Sequence, residues 1–269
     1  MTTATSGLAR WGRRSNLAMV IRQIGYEQRT FWRTPASAIF TFALPVVFLV
    51  LFAGINKNTR LHSLGGIPGV QYLVPSLLAY GVMSACFVNL SITIVFRRDT
   101  GILKRTRGTP LPSWAFFAGV LGSALVVSTV MVAIALVVGR VFYDVRFPSH
   151  WLPFIVALVV GALSFAMLGL GVSGLVPNAE AAPAVINVPF LILVIISGTF
   201  FPFPPHSLIS KVADFFPVSH FIKAVFAPFN DVGFHQSPWA LHSLLIVAIW
   251  GVVGVVLAVR RFRWEPGRN

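Results

Sequence analysis

The sequence predicts an all-α integral membrane protein. It has six transmembrane helices, an N-terminal amphipathic interfacial helix, and a non-spanning extracellular helical segment between helices five and six. Three observations predict this. Of 269 residues, 56% are hydrophobic and only 10% charged, where soluble domains carry roughly a quarter charged residues; mean hydropathy is +0.81. The apolar residues gather into runs long enough to cross about 30 Å of hydrocarbon as helices. The basic residues flank those runs instead of forming one face. The net charge of +14 is therefore a topology signal, and nucleic acid is not an expected partner.

In chain order, residues 1–34 form a cytoplasmic N-terminus. Within Asn16–Trp32, Leu17, Val20, Ile21, Ile24 and Phe31 recur at near-helical spacing, with Arg22, Gln23, Gln28 and Arg29 between them. That pattern describes a helix lying in the membrane interface, anchored by Trp32 and Arg33 and broken from the first span by Pro35. Residues 35–259 form the transmembrane domain. Its spans are Ala36–Ile55, with Pro45 expected to kink it, then Val70–Phe96, Ser113–Gly139, Trp151–Val176, a short Ala184–Thr199 containing Pro189, and Trp239–Val259. The first span is long enough to stay in the membrane, so no cleavable signal peptide is expected. Gly119 and Ser123 stand at a spacing that permits close helix contact. Residues 200–237 are apolar and aromatic but broken by five prolines. They are too irregular to cross and too apolar for a solvated loop. Two short helices dipping into the outer leaflet are expected there. Residues 260–269 form a cytoplasmic tail.

Orientation follows from Lys and Arg. With both termini inside, 15 of the 21 fall on the cytoplasmic side. This places residues 97–112 in the cytoplasm and residues 200–237 outside.

Residues 97–112 are the only densely charged interior segment. The pattern reads as a short helix capped by Asp99, with Lys104, Arg105 and Arg107 in its last turn, where cations suit the helix dipole. Gly108 then ends it and Pro110 stops continuation. Ile102 and Leu103 give it an apolar knob. Local features fit either a handle for a soluble partner or a loop that only fixes topology.

Other chemistry is sparse. Gly169-Leu-Gly171-Val-Ser-Gly174 matches the dinucleotide fingerprint but lies inside a span with no βαβ unit, so helix packing accounts for it better. No Walker A sequence occurs, and the six histidines are scattered without metal-ligand spacing. Cys86, the only cysteine, falls inside a span and reads as a small buried hydrophobe. As drawn, no span contains Asp, Glu, Lys or Arg. Proton- and sodium-coupled carriers place such groups in the membrane, so energy is expected from a soluble partner.

Three stretches carry a family resemblance. They are Phe96-Arg-Arg-Asp-Thr-Gly-Ile-Leu-Lys-Arg-Thr-Arg-Gly-Thr-Pro-Leu-Pro112, then Val176-Pro-Asn-Ala-Glu-Ala-Ala182, and Ser197-Gly-Thr-Phe-Phe-Pro202 followed by Phe216-Pro-Val-Ser-His220. With the span pattern they resemble the type-2, exporter-type ABC transporter permeases, similar to daunorubicin-resistance permeases. The family often has Glu where Arg97 or Asp99 stands.

The resemblance implies a bacterial cell-membrane permease without its own ATPase. Two ABC ATPase subunits would carry ATP and Mg, and a second permease copy or paralogue would complete the pore among membrane lipid. It implies export of a hydrophobic or amphipathic small molecule such as a drug, antibiotic or lipid. Export of a lipid-linked glycan, an ion-coupled carrier and a membrane scaffold are the alternatives. It assigns ATPase coupling to Arg97, Arg98, Asp99, Gly101, Ile102, Leu103, Lys104, Arg105 and Arg107, with Glu180 as a further contact or brace. It assigns an extracellular gate to Phe200, Phe201 and Pro202.

Overall fold

The computed structural model describes residues 16–61, 66–200, 207–229, 237–262 and 264. Helix α1 (Asn16–Trp32) is followed by α2 (Pro35–Ile55), with Pro35 in its first turn where the missing N–H costs nothing. A two-residue hairpin, β1 (Arg60–Leu61) and β2 (Ile67–Pro68), leads into α3 (Gly69–Met83). A π-helical stretch, Ser84–Asn89, joins α3 to α4 (Leu90–Asp99), so helix runs unbroken from Gly69 to Asp99. This is three residues past the expected end, because both arginines of the last turn find partners inside the protein.

The short α5 (Ile102–Arg107) follows. Then come α6 (Ser113–Tyr143), α7 (Trp151–Ser173) and α8 (Ala182–Ile196). The segment between α8 and the last helix holds α9 (Leu208–Ala213), α10 (Pro217–Phe226) and a 3₁₀ turn, Ala227–Phe229. Helix α11 (Leu241–Arg261) closes the described chain.

Among the described residues, five helices are long and apolar enough to cross a membrane: 38–55, 69–99, 113–143, 151–173 and 241–261. The chain is a multi-pass, all-α membrane protein. Helix α8 is apolar but only 15 residues long, about 22 Å at the usual rise.

The α3–α4 helix is the most enclosed of the five, and α2 and α11 turn much of their apolar surface outward. That is the pattern of a bundle whose solvent is lipid, with a central span and lipid-facing outer ones. Small residues set the closest contacts. A Cβ on Gly171 would lie 2.7 Å from the Gly254 carbonyl oxygen, and one on Gly174 would meet the Arg261 carbonyl. Gly171 and Gly174 of the fingerprint-like run therefore pack α7 against α11, while Gly169 packs it against the π-helical stretch at Cys86 and Phe87. Gly119 and Ser123 also make a close contact, but with α1: Gln23 lies over Gly119, and Gln28 donates to the Ser123 hydroxyl at 2.8 Å.

Candidate functional site

The end of the bundle that carries the basic segment is built around the last turn of α4, where consecutive residues reach in different directions. Arg98 is 2% exposed. Its guanidinium donates to the carbonyls of Ser173 (3.2 Å), Val176 (2.8 Å) and Pro177 (3.1 Å). These acceptors lie at and just beyond the C-terminus of α7, where helical carbonyls lack internal partners and the dipole is negative. Asp99 completes the joint. One carboxylate oxygen takes the Arg98 Nε–H at 3.2 Å, and the other accepts the Ala179 backbone N–H at 2.5 Å. The α4 terminus is thereby fastened to the turn between α7 and α8.

Arg97 faces another partner. Its Nη1 lies 2.7 Å from Oε2 of Glu27, a residue of α1 that is 5% exposed. The Gln23 amide donates to the other Glu27 oxygen at 3.0 Å. Helix α1 is thus held to the bundle by its polar side: Gln23 and Gln28 on α6, and Glu27 on α4. Leu17, Ile21 and Trp32 are exposed, whereas Ile24 and Phe31 are half-buried. Ile24 sits over Gly122, and the Phe31 ring packs edge-on against Phe42.

Helix α5 departs from this joint through Gly101, whose φ of +72° is the left-handed conformation glycine adopts without strain. Two expectations are corrected here. Asp99 does not cap α5; its carboxylate is spent on Arg98 and Ala179, and Gly101 occupies the position before the helix. The apolar knob is divided: Leu103 is fully buried and anchors α5, while Ile102 is exposed. Gly108 ends α5 in right-handed backbone, bonded to the Lys104 and Arg105 carbonyls, so it is not needed there for left-handed freedom. Lys104, Arg105, Arg107 and Glu180 are exposed.

The opposite end is aromatic. Phe200 is buried among Phe48, Phe52 and Tyr80, with ring centroids 5.7, 4.7 and 6.1 Å away. Phe201 and Pro202 lie outside the described residues. The Tyr72 hydroxyl donates to the Gly198 carbonyl at 2.6 Å, holding the end of α8 to the start of α3. Helix α10 is sunk between α3, α7 and α11, and Phe221 rests where Gly161 leaves no side chain. Lys223 pairs with Asp214, and a nitrogen of the buried His220 ring stands 2.8 Å from the Asp214 carbonyl. Burial pushes the His220 pKa below its usual value despite that hydrogen bond. Burial opposes ionisation of Asp214 too, but the hydrogen bond and charge of Lys223 outweigh it and hold the carboxyl below its usual range.

Residues 20–229 match the model of the ABC-2 type transporter family. The chain belongs to the ABC-2 type transporter family. It is a type-2 ABC permease, a membrane subunit of an ABC transporter. Relatives agree. YvfS of Bacillus subtilis (strain 168), a protein named as a transport permease, is 23% identical over 197 residues, covering 72% of this chain and 79% of YvfS. YbhR of Escherichia coli (strain K12), named as a multidrug ABC transporter permease, is 28% identical over 127 residues, covering 47% of this chain and 34% of YbhR.

The matched ABC-2 region contains α5, the α4 joint, the α7–α8 turn and α10 together. Sequence reasoning grouped Arg97 with Arg98 and missed Glu27 altogether. The available signal was a lone carboxylate on the polar stripe of an otherwise basic helix, four residues after Gln23.

Proposed function

We propose that this permease is the membrane subunit of an ATP-driven exporter that moves a hydrophobic or amphipathic small molecule out of the cytoplasm or inner leaflet. The observation that carries the reading is the division of labour at the α4–α5 joint. The cations Lys104, Arg105 and Arg107 stand outward on α5, while Arg98 and Asp99 face inward and grip the α7–α8 turn. An ATPase groove that seats α5 would move the ends of α4, α7 and α8 as one piece. Two ATPase subunits would bind ATP and Mg below, and two permease chains would line the path.

In this reading α8 completes a sixth crossing, lengthened by the residues at its two ends. Helix α1 lies in the cytoplasmic interface with Leu17 and Ile21 toward lipid, both termini are cytoplasmic, and the host membrane is a bacterial cell membrane. The aromatic cluster around Phe200, with α9 and α10, forms the outer gate. Glu180, exposed beside the joint, is a second ATPase contact. The multidrug name of YbhR supports a small-molecule cargo.

The test is co-purification from the native membrane with mass spectrometry. A soluble protein carrying Walker motifs is expected at one copy per permease chain. Joint Lys104→Ala, Arg105→Ala and Arg107→Ala replacement should reduce it by roughly tenfold, the scale of losing one to two charged contacts at an interface. A permease that repeatedly purifies alone and still moves substrate would sink the reading.

A further inference from the structure

A cleft of about 520 Å³ opens between α1, the π-helical stretch with α4, and α6. Its volume falls in the range of sites for drug-sized ligands, enough for a lipid head group and part of one acyl chain. It runs lengthwise along α4, from Thr100 and Arg97 at the basic end to Ala85 deeper in the bundle. The two ends differ in what they offer.

In the deep half the polar groups are already engaged. Asn89 donates to Thr41 and accepts from Thr93, and the Ser123 hydroxyl accepts from Gln28. What remains there is apolar wall, chiefly Leu90, Ile94, Val120 and Val127. At the basic end the wall holds the Glu27–Arg97 pair with Thr30, Thr34 and Thr100. Those three hydroxyls donate to backbone carbonyls four residues back, in α1 and α4, which leaves their oxygens as acceptors. Among the described residues Arg97 has no second acceptor, so its remaining N–H groups are available to a ligand.

The polar end therefore presents donors of positive charge beside acceptors of negative charge, with an apolar channel leading inward. We propose that this cleft binds one phospholipid with a phosphoethanolamine head. The phosphate sits on Arg97, the ammonium sits on Glu27 and the threonine oxygens, and an acyl chain lies along the α4–α6 wall. A primary ammonium satisfies the acceptors by hydrogen bonding, which a quaternary choline cannot do. A head bearing phosphate alone would meet Arg97 but set its charge beside the Glu27 carboxylate. The bound lipid would join α1 to α4 alongside the ion pair. The proposal goes beyond the export reading and needs neither ATPase nor transport.

The experiment uses the full chain, purified and delipidated in mild detergent, and titrated with phosphatidylethanolamine, phosphatidylcholine and phosphatidylglycerol of identical chains. Native mass spectrometry counts the lipids retained. One phosphatidylethanolamine per chain is expected, with the other two bound about tenfold more weakly, the worth of one or two charge-assisted contacts. Glu27→Gln should shrink the preference over phosphatidylglycerol to about twofold or less. Thr30→Trp, at a half-buried position whose hydroxyl is used only within α1, should fill the cleft and abolish stoichiometric retention. If Glu27→Gln fails to fold, the head-group ranking and Thr30→Trp decide. Equal binding of phosphatidylethanolamine and either other lipid, or full retention by Thr30→Trp, overturns the proposal.

Discussion

Arg97 and Arg98 are neighbours in the chain and leave the end of α4 on different sides. Arg98 binds three backbone carbonyls that cannot move without moving the end of α7, and its Nε–H goes to the neighbouring Asp99 carboxylate. Arg97 binds one carboxylate on a side chain of α1, beside an open cleft. The first arrangement is a rigid joint: a planar guanidinium fills a fixed set of acceptors and takes the place of a helix cap. The second is a single ion pair between two side chains, with an open cleft beside it. One segment thus fixes the bundle on one side and holds a separable helix on the other.

The largest effect that would test this contrast is at Arg98. Arg98→Ala leaves three carbonyls, two of them buried, without this donor, and the cost should be on the order of 3 kcal/mol. The variant should melt well below the wild type in detergent, and its exchange-labile amides should cluster at residues 173–181. Arg98→Lys should recover only part of the loss, because one ammonium cannot reach all three acceptors in plane. A melting temperature unchanged in Arg98→Ala would mean that the joint is not structural.

Breaking the other side should cost less and act locally. Glu27→Gln keeps the size of the side chain and removes its charge, and about 1–2 kcal/mol of coupling to Arg97 should be lost. Hydrogen exchange should rise along α1 and leave the α7–α8 turn unchanged. The pair can be isolated with a double-mutant cycle using Arg97→Gln. If both single variants and the double variant lose the same stability, Glu27 and Arg97 act on each other. If the losses add, they do not, and the tether rests on the contacts of Gln23, Ile24 and Gln28 with α6.

The difference between the two sides also marks what the sequence disclosed. Five of the six expected spans coincide with helices long and apolar enough to cross, legible because lipid demands long apolar runs, and the basic segment was legible because charge among those runs is rare. The fingerprint-like glycines were correctly rejected from context, and Gly171 against Gly254 supplies the packing reason. The partners of the charges were not legible. Asp99 looked like a cap because capping is a local rule, whereas its acceptor role is satisfied by Ala179, far along the chain. Glu27 went unremarked because nothing in α1 announces Arg97. Helix α1 itself was expected from the apolar stripe of an interfacial helix, yet its polar residues Gln23, Glu27 and Gln28 meet the bundle together with Ile24 and Phe31. Short-range patterns revealed where helices are, and long-range pairing decided which of their faces do the work.

The smallest predicted effect enters at the opposite end and checks that the α1 tether is independent of the rest. His220 lies buried on α10, facing the Asp214 carbonyl, Ser243 and the His242 ring, with Lys223 one turn along. Its pKa is lowered from the usual 6.5, chiefly by burial. The folded state therefore prefers the neutral ring. That contribution is complete above the ordinary value and is lost as pH falls through the lower folded value. Between about pH 7.5 and about pH 5, rate-corrected hydrogen exchange of α10 should increase modestly, and the increase should vanish in His220→Gln. The amides of α1 should show no His220-dependent change over the same range. If acid loosens α1 in the wild type but not in His220→Gln, the tether is coupled to α10 through the bundle, and the division between a rigid joint and a separable helix fails.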